Sequence, residues 1–131
     1  MNPDCPNPNE PPKPYSFDYY IRTTAQLGMM VAVLMLCADI GFAQAQQYEL
    51  QGTANMAAIV AAHQLPNDDA AVKAAAAYMR SNGVPNPENH VVVTGSDMVT
   101  VDLDAPYNTM FAKWLGIKRV PLRAYAQEQR F

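Results

Sequence analysis

Two cysteines, two histidines and a single tryptophan among 131 residues leave little material for most kinds of site chemistry. Cys5 and Cys37 are too few for a disulfide-dense scaffold or for a four-cysteine zinc or iron–sulfur centre. His63 and His90 stand 27 positions apart, and only Glu88 is close enough in sequence to join either as a ligand, so no metal site is expected. There is no glycine-rich phosphate loop, no G-x-S-x-G elbow and no haem-attaching Cys-x-x-Cys-His. Charge is scarce too: 16% of residues carry it, and 12 acidic against 9 basic side chains give a net charge of −3, which argues against a general nucleic-acid binder. The carboxylate pairs Asp68-Asp69 and Asp102-x-Asp104 read as a first helical turn and the polar face of a strand, not as a general acid and base. No catalytic, cofactor-binding or metal-binding residue is nominated, and a chain of this length is expected to build one small domain without a deep catalytic pocket.

What the sequence does have is apolar residues in bunches. Residues 1–16 (MNPDCPNPNEPPKPYS) hold almost no aliphatic side chains and six of the eleven prolines, which predicts an extended, polyproline-like tail. A second segment, 17–65, opens on Phe17, Tyr19 and Tyr20 with Arg22 beside them, the composition of an interfacial anchor. Leu27 to Ala38 (LGMMVAVLMLCA) carries no charge, and the 20 residues from Thr24 to Ala43 carry only Asp39. Twenty helical residues rise roughly 30 Å, the thickness of a bilayer core. If the span instead runs from Tyr20 to Ala38, Arg22 snorkels and Asp39 sits at the far interface, avoiding most of the roughly 2.5–3.5 kcal/mol that a charge costs at the membrane centre. Ala43-Gln44-Ala45 has the form of a signal-peptide cleavage site, but about 26 proline-rich residues without net positive charge precede the apolar core, so the span is read as retained. Lys13 and Arg22 lie on the N-terminal side and the next basic residue is Lys73, which predicts a cytoplasmic N-terminus. Cys5 and Cys37 fall on different sides of most of this helix and are not expected to pair, leaving Cys37 as a small hydrophobe.

The helical pattern continues past the apolar run through QAQQYELQGTANMAAIVAAHQL, predicting one helix from about Ile21 to His63 that is ended by Pro66. Asn67-Asp68-Asp69 offers a cap and first-turn acids for a second helix, AAVKAAAAYMR, closed by Ser81-Asn82-Gly83. In the third segment, 66–131, His90–Thr94 and Met98–Leu103 read as a hairpin with one buried face and a type II′ turn at Gly95-Ser96. Met110, Phe111, Trp114 and Leu115 have helical spacing over Asn108–Gly116, and Lys118–Gln127 reads as a third strand that Pro121 confines to an edge or a bulge. The predicted fold is α+β: a long N-terminal transmembrane helix continuing into a small domain with a second helix and a three-stranded antiparallel sheet. Lys113, Lys118, Arg119, Arg123 and Arg130 make the C-terminus basic, a solvated face by default or a contact for anionic lipid.

Small residues gather on the long helix at Ala43, Ala45, Gly52, Ala54, Ala57, Ala58, Ala61 and Ala62, which suits close helix packing against the chain's own second helix or against a partner. These residues also resemble a family, the TadE/TadG-like pilus-assembly proteins of Tad (Flp) pilus systems, which look like minor pilins or pseudopilins. Asp39-Ile40-Gly41 resembles the family's Asp-x-Gly after the membrane helix, Tyr48 its aromatic, Leu50-Gln51 its Leu-Gln, and Ala54 to Ala62, with Asn55, Ala57 and Ala61, its alanine-rich stretch. Tyr78–Gly83, the valine runs at 91–93 and 99–101, and Phe111-Ala112 with Leu115-Gly116-Ile117 extend the resemblance over about residues 28–127. Asn55 stands where the family commonly has Asp, and no Glu follows Gly28 at the position a prepilin peptidase site requires.

The resemblance implies a non-catalytic, single-pass protein of the bacterial inner membrane with its domain on the periplasmic side. It would act by helix packing within a multi-subunit pilus or envelope assembly. The alternative is an accessory structural subunit of another membrane complex, of energy-transducing or photosynthetic type. Expected partners are membrane lipid and other membrane subunits, met through the transmembrane and alanine-rich helix, with no nucleic acid and no cofactor.

Overall fold

A computed structural model describes residues 7–131. Cys5 and the first part of the proline-rich tail lie outside the described residues. The elements in chain order are α1 (Phe17–Ala62), α2 (Asp68–Ser81), β1 (Val91–Thr94), β2 (Met98–Asn108) and β3 (Arg119–Gln129), with short 3-10 turns at Pro87–His90 and Ala112–Leu115. The fold is α+β, with a long N-terminal helix, a second helix and a three-stranded antiparallel sheet. Contacts divide the chain into two units, one ending at Leu34 and the other being Met35–Phe131, so the break falls within α1.

The first unit contains the exposed residues from 7 to 16 and the opening of α1. Ser16 starts the helix: its hydroxyl accepts from the Tyr19 amide at 3.3 Å and its carbonyl from the Tyr20 amide at 3.3 Å. Asp18 adds a first-turn acid and pairs with Arg22 at 3.1 Å, one turn on. Tyr15 stacks on Tyr19 with ring centres 4.3 Å apart, and Tyr20 meets Tyr19 edge-on at 5.9 Å. Beyond them Leu27, Met29, Met30, Val31, Val33 and Leu34 are all exposed. Among the described residues one helix, α1, is long and apolar enough to cross a membrane, with a mean hydropathy of 1.8 over its best window and only 6% of that window buried. A helix in the core of a soluble domain would be covered, whereas this segment has no cover among the described residues.

The second unit packs the sheet onto the later part of α1 and onto α2. Val99, Val101 and Leu103 alternate along β2 and are buried, while Thr100 and Asp102 between them face the other way. Ala124 and Ala126 of β3 join them, and the facing helices supply Ala54, Ala57, Ala58 and Ala61 from α1 with Ala71, Ala75 and Met79 from α2. The alanine face of α1 is therefore filled by the chain's own core, and a partner helix has no access to Ala57 or Ala61, both fully buried. Both helices contribute mostly alanines to this core, whose larger members are Met79, Leu103, Val99 and Val101.

The ends of α2 follow the predicted signals. Asn67 Oδ1 accepts from the Ala70 amide at 3.1 Å. At the other end the Val84 amide reaches Met79 O at 3.0 Å and the Gly83 amide reaches Arg80 O at 3.1 Å, a Schellman closure that needs the positive φ of +80° at Gly83. In the hairpin Gly95 and Ser96 both have positive φ, +63° and +57°, so the turn has the signs of type I′ and not the predicted II′. Strand order β1-β2-β3 puts β3 at an edge, as Pro121 requires. Pro121 stands opposite Pro106 in the register, a pairing that fits only where neither strand donates to the other.

The predicted helix over Asn108–Gly116 does not form. The β2–β3 ladder extends to Asn108 paired with Arg119, and only the single 3-10 turn Ala112–Leu115 remains between the strands, ended by Gly116 at φ +88°. Met110, Trp114 and Leu115, expected on helical spacing, stand exposed around this turn.

Candidate functional site

Of the residues singled out in the sequence, Asp39, Gln51 and Asn55 come together on the side of α1 that meets β3 and the β2–β3 loop. Asp39, the acid of the Asp-x-Gly element, is 5% exposed and is the only buried carboxylate among the described residues. Its Oδ1 accepts from the Tyr107 hydroxyl at 3.2 Å and the Met110 amide at 2.8 Å, and its Oδ2 from the amides of Phe111 at 2.9 Å and Ala112 at 2.6 Å. Three consecutive N–H groups and a phenol thus surround one carboxylate, with no cation within ion-pair distance among the described residues. Converging backbone amides supply the positive partial charge that a lysine would otherwise bring. Burial, reinforced by the adjoining Asp39 carboxylate, holds the Tyr107 phenol above its ordinary range.

The loop that Asp39 grips is closed on itself. The Thr109 hydroxyl donates to Ile117 O and, at 3.2 Å, to Lys118 O, which also accepts from the Thr109 amide at 3.2 Å. The Ile117 amide reaches Ala112 O at 3.1 Å. Beneath the loop Leu36, Ile40, Ala43, Tyr107, Ile117 and Val120 line an almost wholly apolar cleft of about 480 Å³.

Gln51, from the Leu-Gln element, holds the free edge of β3. Its amide nitrogen donates to Tyr125 O at 2.8 Å and to Asn55 Oδ1 at 2.9 Å, and its oxygen faces the Tyr125 amide at 3.4 Å. Gln47, one turn earlier, donates to Arg123 O at 2.6 Å. An edge strand leaves alternate backbone groups unpaired, and the two glutamines satisfy the carbonyls of residues 123 and 125 and the amide of Tyr125. Asn55 therefore buttresses Gln51, and Leu50 packs against the core. Tyr48 is exposed, and a Cβ at Gly41 would meet nothing within 4 Å, so no contact among the described residues explains either one.

The remaining polar candidates are dispersed. Asp102 pairs with Arg123 across β2 and β3, and this hydrogen bond holds the Asp102 carboxyl below its usual range and the guanidinium above its own. Asp68 accepts from Ser96 at 3.4 Å. His90 Nδ1 lies 2.9 Å from Asp102 O, while His63 stacks on Phe131 at 4.4 Å. Among the described residues no three His, Cys, Asp or Glu side chains gather as a metal site would need.

Sequence reading missed Tyr107 and the amides of 110–112 as partners of Asp39, and Thr109 as the residue that closes their loop. The only available signal was an acid beside a long apolar run, which needs a buried partner or water. Taken together, these contacts hold the β2–β3 loop and the β3 edge to α1. No family model, curated protein or solved structure matches the chain.

Proposed function

We propose that this chain is a non-catalytic, single-pass protein of the bacterial inner membrane, a TadE/TadG-like component of pilus or envelope assembly. The proline-rich tail is cytoplasmic and the α+β domain periplasmic in this reading. The observation that carries it is the uncovered apolar stretch of α1, whose large side chains stand exposed while the later residues of the same helix are packed into a folded domain. Such a stretch requires lipid or other apolar helices around it.

The family resemblance gains support from what its two polar elements do. Asp39 grips a loop and Gln51 grips a strand edge, so both motif residues attach the domain to its helix. Partner contacts then fall to the apolar stretch and to the exposed Gly41 and Tyr48, since the alanine face is occupied. The absence of a Glu in the expected place after Gly28 favours a fixed subunit over a processed, polymerising pilin.

Deleting the gene and scoring surface filaments tests the reading. Loss of filaments, restored by the full chain, is expected. Intact filaments, together with co-purification of the chain with an energy-transducing complex in gentle detergent, would move it to the alternative class of accessory subunit.

A further inference from the structure

We propose that the Thr109–Lys118 loop is a membrane foot, which seats Trp114, Leu115 and Met110 in the bilayer interface and sets Lys113, Lys118 and Arg119 against anionic lipid headgroups. The inference rests on the reading of α1 as a membrane span and adds where the domain meets the lipid.

Exposure is the first observation: Trp114 is 73% exposed, Leu115 69%, Met110 52% and Ile117 51%. Four large apolar side chains on one ten-residue loop exceed the scattered exposure normal for a soluble surface. The loop is also not loose. Three of its amides are fixed by Asp39, and Thr109 closes its neck, so the outward apolar side chains are presented by a built scaffold. Position follows from the reading of the span as Tyr20–Ala38. Asp39 directly succeeds its last residue, so in that reading the loop is tied within one residue of the level at which lipid gives way to water.

Charge identifies the lipid. The chain is acidic overall, yet between residues 105 and 127 it carries Lys113, Lys118, Arg119 and Arg123 and no Asp or Glu. Arg123 is engaged by Asp102, whereas Lys113, Lys118 and Arg119 have no ion-pair partner among the described residues. Apolar and aromatic side chains interleaved with free cations on one loop match an anionic interface.

Trp114 is the chain's only tryptophan and therefore reports on the loop without labelling. The full chain is reconstituted into phosphatidylcholine vesicles with and without phosphatidylglycerol, and its resistance to alkaline extraction is measured first. The expected result is a chain that resists extraction, with blue-shifted Trp114 emission quenched by brominated lipid and not by iodide in the water. Phosphatidylglycerol should increase that quenching, and the increase should be lost at high salt and in the triple variant Lys113→Gln, Lys118→Gln, Arg119→Gln. A chain that resists extraction while iodide quenches Trp114 and brominated lipid does not overturns the foot and leaves the span standing. Blue-shifted emission reached by neither quencher means that protein covers the loop, which also overturns it. Quenching by brominated lipid that phosphatidylglycerol leaves unchanged removes the headgroup assignment, and release by alkali removes span and foot together.

Discussion

Replacing Asp39 by alanine strips the acceptor from Tyr107 and from three consecutive amides at once. Asparagine is no remedy, because one of its two terminal atoms becomes a donor facing donors. Both variants should therefore free the loop, with amide exchange at Met110, Phe111 and Ala112 rising towards that of an open segment. Val99 and Val101, in the core, should keep their protection in either variant. Equal exchange at 110–112 in the wild type and Asp39→Asn would show that the carboxylate does not hold the loop. Gln51 acts at one strand edge, so its effect should be smaller. Gln51→Ala should lower stability by about 1 kcal/mol, the usual net worth of a hydrogen bond, and speed exchange of the Tyr125 amide, as a denaturant midpoint and hydrogen exchange would report. Neither role was legible from spacing, since Asp39 and Gln51 find their partners 73 and 74 residues away. The sequence marks that a lone acid or amide beside an apolar helix needs something; it does not mark which distant backbone supplies it.

Among the elements, those with local signals were readable. The cap at Asn67 and the stop at Gly83 bracket α2 because capping chemistry is contained within a few residues. Alternation along Val99, Val101 and Leu103 gave the buried face of β2, and Pro121 gave the edge position of β3. In the segment Asn108–Gly116 four apolar residues have helical spacing, yet no α-helix forms. Strand pairing to Asn108 and the pull of Asp39 on three amides leave room for a single turn only, and its apolar residues point outward. The alanine stretch posed a different ambiguity, since small residues suit any close neighbour, and the neighbour is the chain's own sheet and second helix. Ala57→Leu and Ala61→Leu should each cost about 1–3 kcal/mol by overpacking a site with no spare volume. Thermal melting of the full chain in detergent should show this as a lower midpoint even without any partner; unchanged midpoints would mean that the helix stands off the sheet.

For the whole molecule, one bilayer-length apolar stretch and one folded domain share a helix, and their stabilities answer to different solvents. The domain's core closes on its own alanines and valines, whereas the large apolar side chains from Leu27 to Leu34 stand exposed among the described residues and, in the proposed reading, are covered by lipid or by apolar helices. Val33→Arg separates the two. An arginine near the centre of the stretch costs roughly 2.5–3.5 kcal/mol of insertion free energy, and Arg22 is too near the helix start to share the penalty. The variant should shift from the alkali-resistant membrane fraction to the soluble or aggregated fraction, while the melting transition of the sheet domain, far from residue 33 in the chain, stays where it was. Val33→Leu, equally apolar, should fractionate as the wild type does. If Val33→Arg stays with the membrane as firmly as Val33→Leu, the apolar stretch is not what anchors the protein; if it is lost and the domain still melts normally, insertion and folding are independent properties of one continuous helix.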